Sequence, residues 1–574
     1  MNEDQTPVEA LARRLSDGSL TRRELVQRAA ALGLSAPAIS ALLARTASAA
    51  PASPDRKVSS RFQADANTLV IADALVAAPW LTLDPGNFYE INPGAAMNLT
   101  VEPLYELLDS TKPDQFTPLL AADMPEVSTD GKEATIKLRT GVKFHSGNDF
   151  TADDVVFSWT RLKNIKFQGA FLATDYWESV EAVDASTIKL TLKAPNAALV
   201  PILSSMPLAI VDSKLLKEHG GTDAEDADKT DKGLDWINEG NAVGSGPYKL
   251  TAWDTGSEVV LEKHTGYWGE APKLDRIIWR NIEDPNSQLQ AVQAGEADIA
   301  YSLDPDAAES VKQDPNLQVI SGPTLAHEYL ALNNREDPGG PLAKKEVRQA
   351  IGYAIDYDGI VNDILKGAGI KPATVAPEPL IGTESVHDLG YKQDLAKAQE
   401  LFDGAGVGPV ELTLSFNAGG QGEGGVDLET LATKLQSDLQ QIDGLTVKLK
   451  PADPATRLQE YREGKLQFTL SGWTPDFPDI HSYAEPFGRT DTAAAKRVGY
   501  SNPQVDTWLD EGIAESDPAK RETLYANVLK ALIEDAPFLV LYQPVDQKAA
   551  SKAVQGVSTH SIYMLQLRGA SKSA

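Results

Sequence analysis

At 574 residues the chain is too long for one simple core and calls for two or three domains. Its 42% hydrophobic and 24% charged residues exclude a disordered or membrane-embedded chain, and a formal charge of −29, from 53 basic and 82 acidic side chains, argues against a nucleic-acid partner. Cysteine is absent, which excludes disulfides, thiolate catalysis, zinc–cysteine sites and a lipid-modified cysteine in this sequence.

The first fifty residues contain adjacent Arg22 and Arg23, a weakly apolar run from Ala29 to Ala44, and Ala47-Ser48-Ala49. Paired arginines, a moderately apolar segment and a small-x-small cleavage site follow one another as in a twin-arginine export signal. Residues 1–49 are therefore expected to be that signal, and the rest of the chain to be exported without a lipid anchor. The competing reading is an amphipathic helix with a flexible tail. Ser35 and Pro37 interrupt the apolar run, which falls short of the roughly 20 residues of a membrane span. Residues 50–65 have the Ala, Pro, Ser and charge composition of a linker.

An apolar strand is predicted at Thr68–Ala72, followed by a turn at Leu83-Asp84-Pro85 and a glycine- and proline-rich loop holding Phe88, Tyr89 and Glu90. A helix is predicted through Val101, Leu104, Tyr105 and Leu108. Ile136 and Leu138 alternate as a strand, and Gly141 turns it toward Val142 and Phe144. Thr151 and Asp154 have the spacing of a capping box ahead of a helix whose inner face is Val155, Val156, Trp159 and Leu162. His145, alone between a phenylalanine and a turn, is expected to be a hydrogen-bonded structural residue and not a metal ligand. Ile188, Leu190 and Leu192 form a further hairpin, and Gly220–Asp231 is expected to be an exposed acidic loop.

The stretch from Gly244 to Tyr301 is the most informative. Tyr248 and Leu250 share one strand face, Thr255 and Gly256 turn the chain, and Val259 and Leu261 continue as a hairpin. Tyr267-Trp268-Gly269 places two rings beside a turn. A strand at Ile277–Trp279, a helix carrying Leu289 and Val292, and a short strand at Asp298–Tyr301 follow. No nucleophile stands beside a base, so the stretch has no catalytic chemistry. Its order, GSGPY, YWG, then a helix ending in AGEAD, resembles the family 5 extracellular solute-binding proteins of ABC importers, the dipeptide- and oligopeptide-binding type. Ser245 stands where the family usually has Thr. LRTGVKFHSGNDFTADDVVFS earlier in the chain resembles the family signature almost position by position, with Asn148-Asp149 where a proline is frequent.

Beyond Tyr301, Val347, Ala350, Ile351, Ala354 and Ile355 share a helix face, in a segment similar to the family's VRQAIxYAID. A helix from Leu395 to Phe402 and a strand at Val410–Phe416 come next. The loop after that strand fits G-x-G-x-x-G at Gly420, Gly422 and Gly425 and leads into an amphipathic helix, the context of a dinucleotide site. Glu423 would set a carboxylate where a pyrophosphate must lie, and the next strand ends at Lys450 without a ribose-binding acid. A nucleotide-dependent oxidoreductase is thus the reading from another class that has to be weighed.

Residues 466–488, LQFTLSGWTPDFPDIHSYAEPFG, run from a strand into an aromatic, acidic turn. By itself this is a strand end with solvated acids; His481 with Asp476 or Asp479 is a weak metal pair. The segment resembles the family's GWxxDxxDP, where the backbone after the tryptophan pairs with an extended peptide and the first aspartate takes its α-amino group. Gly472, Trp473, Thr474 and Asp476 occupy the matching places. Pro475, which lacks a backbone donor, and Ile480 are departures. The ligand-binding set that the resemblance implies is completed by Phe477, Tyr483, Trp268 and Tyr89. The final LYQP resembles the family's return strand.

The resemblance, which spans Thr68 to Leu567, implies a two-lobed α/β fold of the periplasmic-binding-protein type (type II, cluster C-like) with an extra subdomain and a hinge. Lobe I would comprise 66–105, 236–322 and 540–574, its subdomain 106–235, and lobe II 323–539. The implied function is capture of a di- or oligopeptide and its delivery to ABC permease subunits, by a monomer with no cofactor, no metal and no catalysis. Oligosaccharide, nickel-chelate or haem binding is the alternative within the class.

Overall fold

The computed structural model describes residues 67–76, 80–89 and 91–573. The expected export signal at 1–49 and linker at 50–65 lie outside the described residues, as does Glu90. A twelve-stranded mixed sheet runs through the molecule. Thr68–Asp73 lies near its middle, parallel to Arg276–Asn281 on one side and Ile299–Ala300 on the other. That position explains its unbroken apolar run, because a parallel strand is covered on both faces. The hairpin Tyr248–Asp254 and Glu258–Lys263 closes this edge.

Phe538–Ser551 ties the two halves together. Its first residues pair with His327–Leu332 and its later ones with Leu317–Pro323. Chain crossings therefore lie side by side, one within this strand and one between Pro323 and His327. On the far side, Val410–Asn417 runs parallel to Leu445–Ala452 and to Phe468–Trp473, with helix Leu428–Leu439 packed on it. The fold is two-lobed α/β. A separate four-stranded antiparallel sheet, which includes Glu133–Lys137 and Thr187–Leu192, packs against helix Ala152–Ile165. The capping box forms as expected: the Thr151 N–H donates to Asp154 Oδ2 at 2.8 Å.

Two expectations fail. The helix expected through Val101–Leu108 lies earlier, at Gly94–Thr100, and Tyr105–Leu107 is a strand paired with Phe116–Pro118. Pro103 cannot sit inside a helix, and Val101 is already extended at φ −123°, ψ 157°. The true helix is buried on every side, so it shows no amphipathic period. The acidic loop Gly220–Asp231 is largely exposed, but its last residue is not. Asp231 is buried and takes the Arg161 Nε and Nη2 donors at 2.8 Å each, while Arg161 also grips Asp84 at 2.7 and 2.6 Å. Gly86 and Gly233 flank the guanidinium so closely that an added Cβ would lie 2.8 and 2.7 Å from its nitrogens.

Candidate functional site

Strand Phe468–Trp473 pairs antiparallel with His327–Leu332, setting Gly472 opposite Glu328 and Trp473 opposite His327. The chain leaves the sheet at Trp473, whose indole packs edge-on against Phe487 with centroids 5.0 Å apart. Thr474 is half-buried and Pro475 buried. Asp476 then stands where the lobes meet. Its N–H donates to Ser482 Oγ at 3.1 Å, and its carbonyl accepts from Ser205 Oγ of the opposing lobe, also at 3.1 Å. Its backbone is thus held from both sides, and the carboxylate accepts a hydrogen bond from Tyr89. Burial, opposed by that hydrogen bond, pushes the Asp476 carboxyl up to about 6.

Tyr89 comes from the loop after Asp84, and 38% of it remains exposed. The Asp84 carboxylate caps the turn Pro85–Asn87 through Gly86 N–H, and Phe88 packs against Tyr563 with centroids 6.5 Å apart. The Arg161 clasp on Asp84 therefore fixes the base of the loop that carries Tyr89 to Asp476.

The other expected site residues are placed differently. Phe477 is 2% exposed and lies in the core of the small subdomain, edge-on to Tyr176. It joins the lobes as a packed side chain. Tyr483 is fully buried, its hydroxyl donating to the Leu325 carbonyl. Trp268 donates to Glu102 Oε2 at 2.9 Å beneath the Arg139 guanidinium, in a cluster with Tyr267 and Arg568. The structure thus brings Gly472, Trp473, Thr474, Asp476 and Tyr89 together and sets Phe477, Tyr483 and Trp268 in packed surroundings.

Glu423 enters this neighbourhood from the glycine-rich loop. A Cβ added at Gly472 would lie 2.7 Å from Glu423 Oε1, so this carboxylate borders the strand two residues before Thr474. The only hint in the sequence was its charge within the loop. The same placement weighs against a pyrophosphate: Asp427 caps the following helix by accepting from Thr430 N–H at 2.7 Å, and Gly424 abuts Pro544. The Asp427 carboxylate already takes a helix N-terminal N–H that a phosphate would use.

His145 and His481 both have structural partners. Buried His145 holds Gly246 O through Nε2 at 3.0 Å, as expected, and burial lowers it to about 3. His481 meets Tyr525 OH at 2.9 Å and Glu485 at 2.6 Å, while Asp479 is held by Arg521 at 2.7 Å. Among the described residues no three His, Asp or Glu side chains converge as a metal site. No helix among them is long and apolar enough to cross a membrane.

Two lobes joined by adjacent chain crossings meet at Asp476. Residues 115–495 match the bacterial extracellular solute-binding proteins, family 5 Middle, and the chain belongs to that family. It is 30% identical over 433 residues to the "Probable D,D-dipeptide-binding periplasmic protein DdpA" of Escherichia coli K12, covering 75% of this chain and 80% of that one. It is 29% identical over 502 residues to the glutathione-binding protein GsiB of Pectobacterium atrosepticum, covering 84% and 91%. The fold is similar to that of the ABC transporter substrate binding protein CtaP from Listeria monocytogenes, with a TM-score of 0.76, 24% identity, and coverage of 89% and 100%.

Proposed function

We propose that this protein captures peptides outside the cytoplasm and delivers them to the membrane subunits of an ABC importer. The observation that carries this reading is Asp476: a carboxylate at the meeting of the lobes that accepts a hydrogen bond from Tyr89 of the opposite lobe. A carboxylate so placed suits an α-ammonium group, since a hydrogen bond to a charged group is worth roughly 1.5–3 kcal/mol net. The Asp476 main chain is already held by Ser482 and Ser205 and Pro475 has no N–H, so main-chain pairing with an extended ligand, which fixes the terminus and leaves side chains free to vary, falls to Thr474 and the strand before it. Relatives named for D,D-dipeptides and glutathione support the same class of ligand.

In this reading lobe I comprises 66–105, 236–322 and 540–574, with 106–235 as its subdomain, and lobe II comprises 323–539. Rotation at the crossings in 317–327 and 538–551 opens and closes the cleft. The protein works as a monomer and catalyses no reaction. Mass spectrometry of the small molecules that co-purify with it tests the function. Peptides with free amino termini are expected, and a co-purifying sugar or metal chelate without peptide would overturn the reading. Export is tested separately: N-terminal sequencing of the native protein should start at Ala50, and a mature protein starting at Met1 in the cytoplasm would refute it.

A further inference from the structure

Glu423 has Tyr483 as a neighbour in common with Asp476, and it is held rigidly. Glu423 N–H donates to Glu328 Oε2 at 3.2 Å, and Glu423 O accepts from Tyr542 OH at 3.0 Å. Gly424 and Gly425, at φ 72° and 77°, press on Pro544 and Leu303, where an added Cβ would come within 2.6 and 3.2 Å. A side chain at either position would be strained and would clash. The loop is therefore seated against the return strand, and it aims the Glu423 carboxylate at the Cα of Gly472. The carboxylate packs directly on that glycine, and Gly472 is itself exposed, so a ligand can reach the chain beside it.

The groups around it are unusually short of donors. Burial, then the charges of Glu328 and Asp546, push the Glu423 carboxyl up to about 8. Burial likewise lifts Glu328 to about 7, against Arg457, whose guanidinium is spent on Asn417, Thr469 and the Leu470 carbonyl. Asp546 is 8% exposed; Lys548 holds its Oδ1 at 2.5 Å, but its Oδ2 has no partner. Tyr301, 7% exposed, lies under that same Lys548 ammonium, and its hydroxyl has no partner either. It feels the charges of Asp73 and Asp546. Tyr483, on helix His481–Gly488, feels the charges of both Glu423 and Asp476. Among the described residues Lys548 is the ammonium held against Asp546 and Tyr301, and buried carboxylates without cations are costly to ionise.

We infer that the cleft is built for a basic peptide: besides the α-ammonium at Asp476, the ligand brings a second ammonium or guanidinium that lies beside Gly472 against Glu423, with Glu328 buried behind it. This rests on the peptide reading above and narrows it. The bound cation takes over the role that a proton plays in the empty cleft, so uptake of the ligand expels a proton from the Glu423–Glu328 pair. Glutamate at 423 also turns away a ligand carboxylate, which gives the site a sign as well as a shape.

The test is calorimetry at pH 7.5 with Ala-Ala-Ala and its three single-lysine variants, on the wild type, Glu423→Gln and Asp476→Asn. At least one lysine peptide should bind the wild type about tenfold or more tighter than Ala-Ala-Ala. That ratio should fall to about one in Glu423→Gln, whereas Asp476→Asn should weaken all the peptides and keep the ratio. Binding of the preferred lysine peptide should release about one proton more than Ala-Ala-Ala does, read from heats in phosphate and Tris buffers. Equal wild-type affinity for all the peptides, or a lysine preference that survives Glu423→Gln, overturns the inference and leaves peptide capture standing. Failure of every peptide to bind overturns both. The wild-type comparison stands alone if the variant does not fold.

Discussion

Arg161→Met should destabilise the protein by about 3–5 kcal/mol, the range found when one partner of a buried ion pair is removed. The guanidinium makes paired contacts with two carboxylates at once, and all three side chains are buried to 0–1% exposure. Methionine fills much of the volume but leaves Asp84 and Asp231 facing each other without a cation. Burial works against ionisation of Asp84, yet Arg161 outweighs it and holds that carboxyl below the usual range. A carboxyl lowered by folding adds stability that is present above its ordinary range and lost as the pH falls through its folded value. Acidification should therefore cost the wild type more than Arg161→Met, and the gap between their denaturant midpoints should narrow at low pH. Because Asp84 caps the turn that leads to Tyr89, the folded fraction of the variant should also bind ligand less well. A midpoint change below about 1 kcal/mol at neutral pH would show that the triad is not a structural anchor.

That triad marks the limit of what a linear reading shows. Asp231 closes a segment of polar and acidic residues that looks like solvated loop, and its partner lies 70 positions away. Only the folded chain brings them together. The helix at Gly94–Thr100 was hidden for the opposite reason: it is covered all round, so no polar face betrays its period. Thr68–Asp73 and the Thr151 cap were legible because local rules suffice there, an apolar run for a doubly covered strand and a side chain that closes on its own backbone. Even so, the second oxygen of Asp154 turned out to hold Ser213 N and Oγ at 3.1 and 2.6 Å, a contact no spacing rule suggests. At the site, Asp476 stood out because an ordered motif surrounds it. Glu423 did not, because its relation to Gly472 depends on how one loop seats against two strands. Phe477, Tyr483 and Trp268 were attractive as rings beside turns. Aromatic rings fill cores and line clefts alike, and nothing in their spacing separates the two uses.

Asp476→Asn should lower affinity for a peptide with a free amino terminus by about one to two decades. The substitution keeps the side chain's shape and its capacity to accept from Tyr89, and removes the charge. Closure is what makes that charge matter. Ser205 and Tyr89 approach from one lobe and Ser482 from the other, so the carboxylate is drawn out of water as the lobes meet. An unpaired charge there costs several kcal/mol, and an ammonium group in the right place offsets it; closure thereby selects ligands with a free amine. Burial already lifts the carboxyl to about 6 in the empty protein. A bound ammonium must lower it again, so wild-type affinity should fall as the pH drops below about 6, and Asp476→Asn should lose that dependence. For the empty protein the sign reverses. A carboxyl raised by folding contributes stability that is full below its ordinary value and lost as the pH rises through about 6. At neutral pH the asparagine variant should therefore melt no lower than the wild type. Calorimetry with free and N-acetylated forms of one peptide completes the test, since acetylation removes from the ligand what the substitution removes from the protein. The two losses should not add: acetylated peptide should bind wild type and variant with similar, weak affinity. Equal wild-type affinity for the two forms would mean that Asp476 anchors no amine, and that the selectivity of the cleft lies elsewhere.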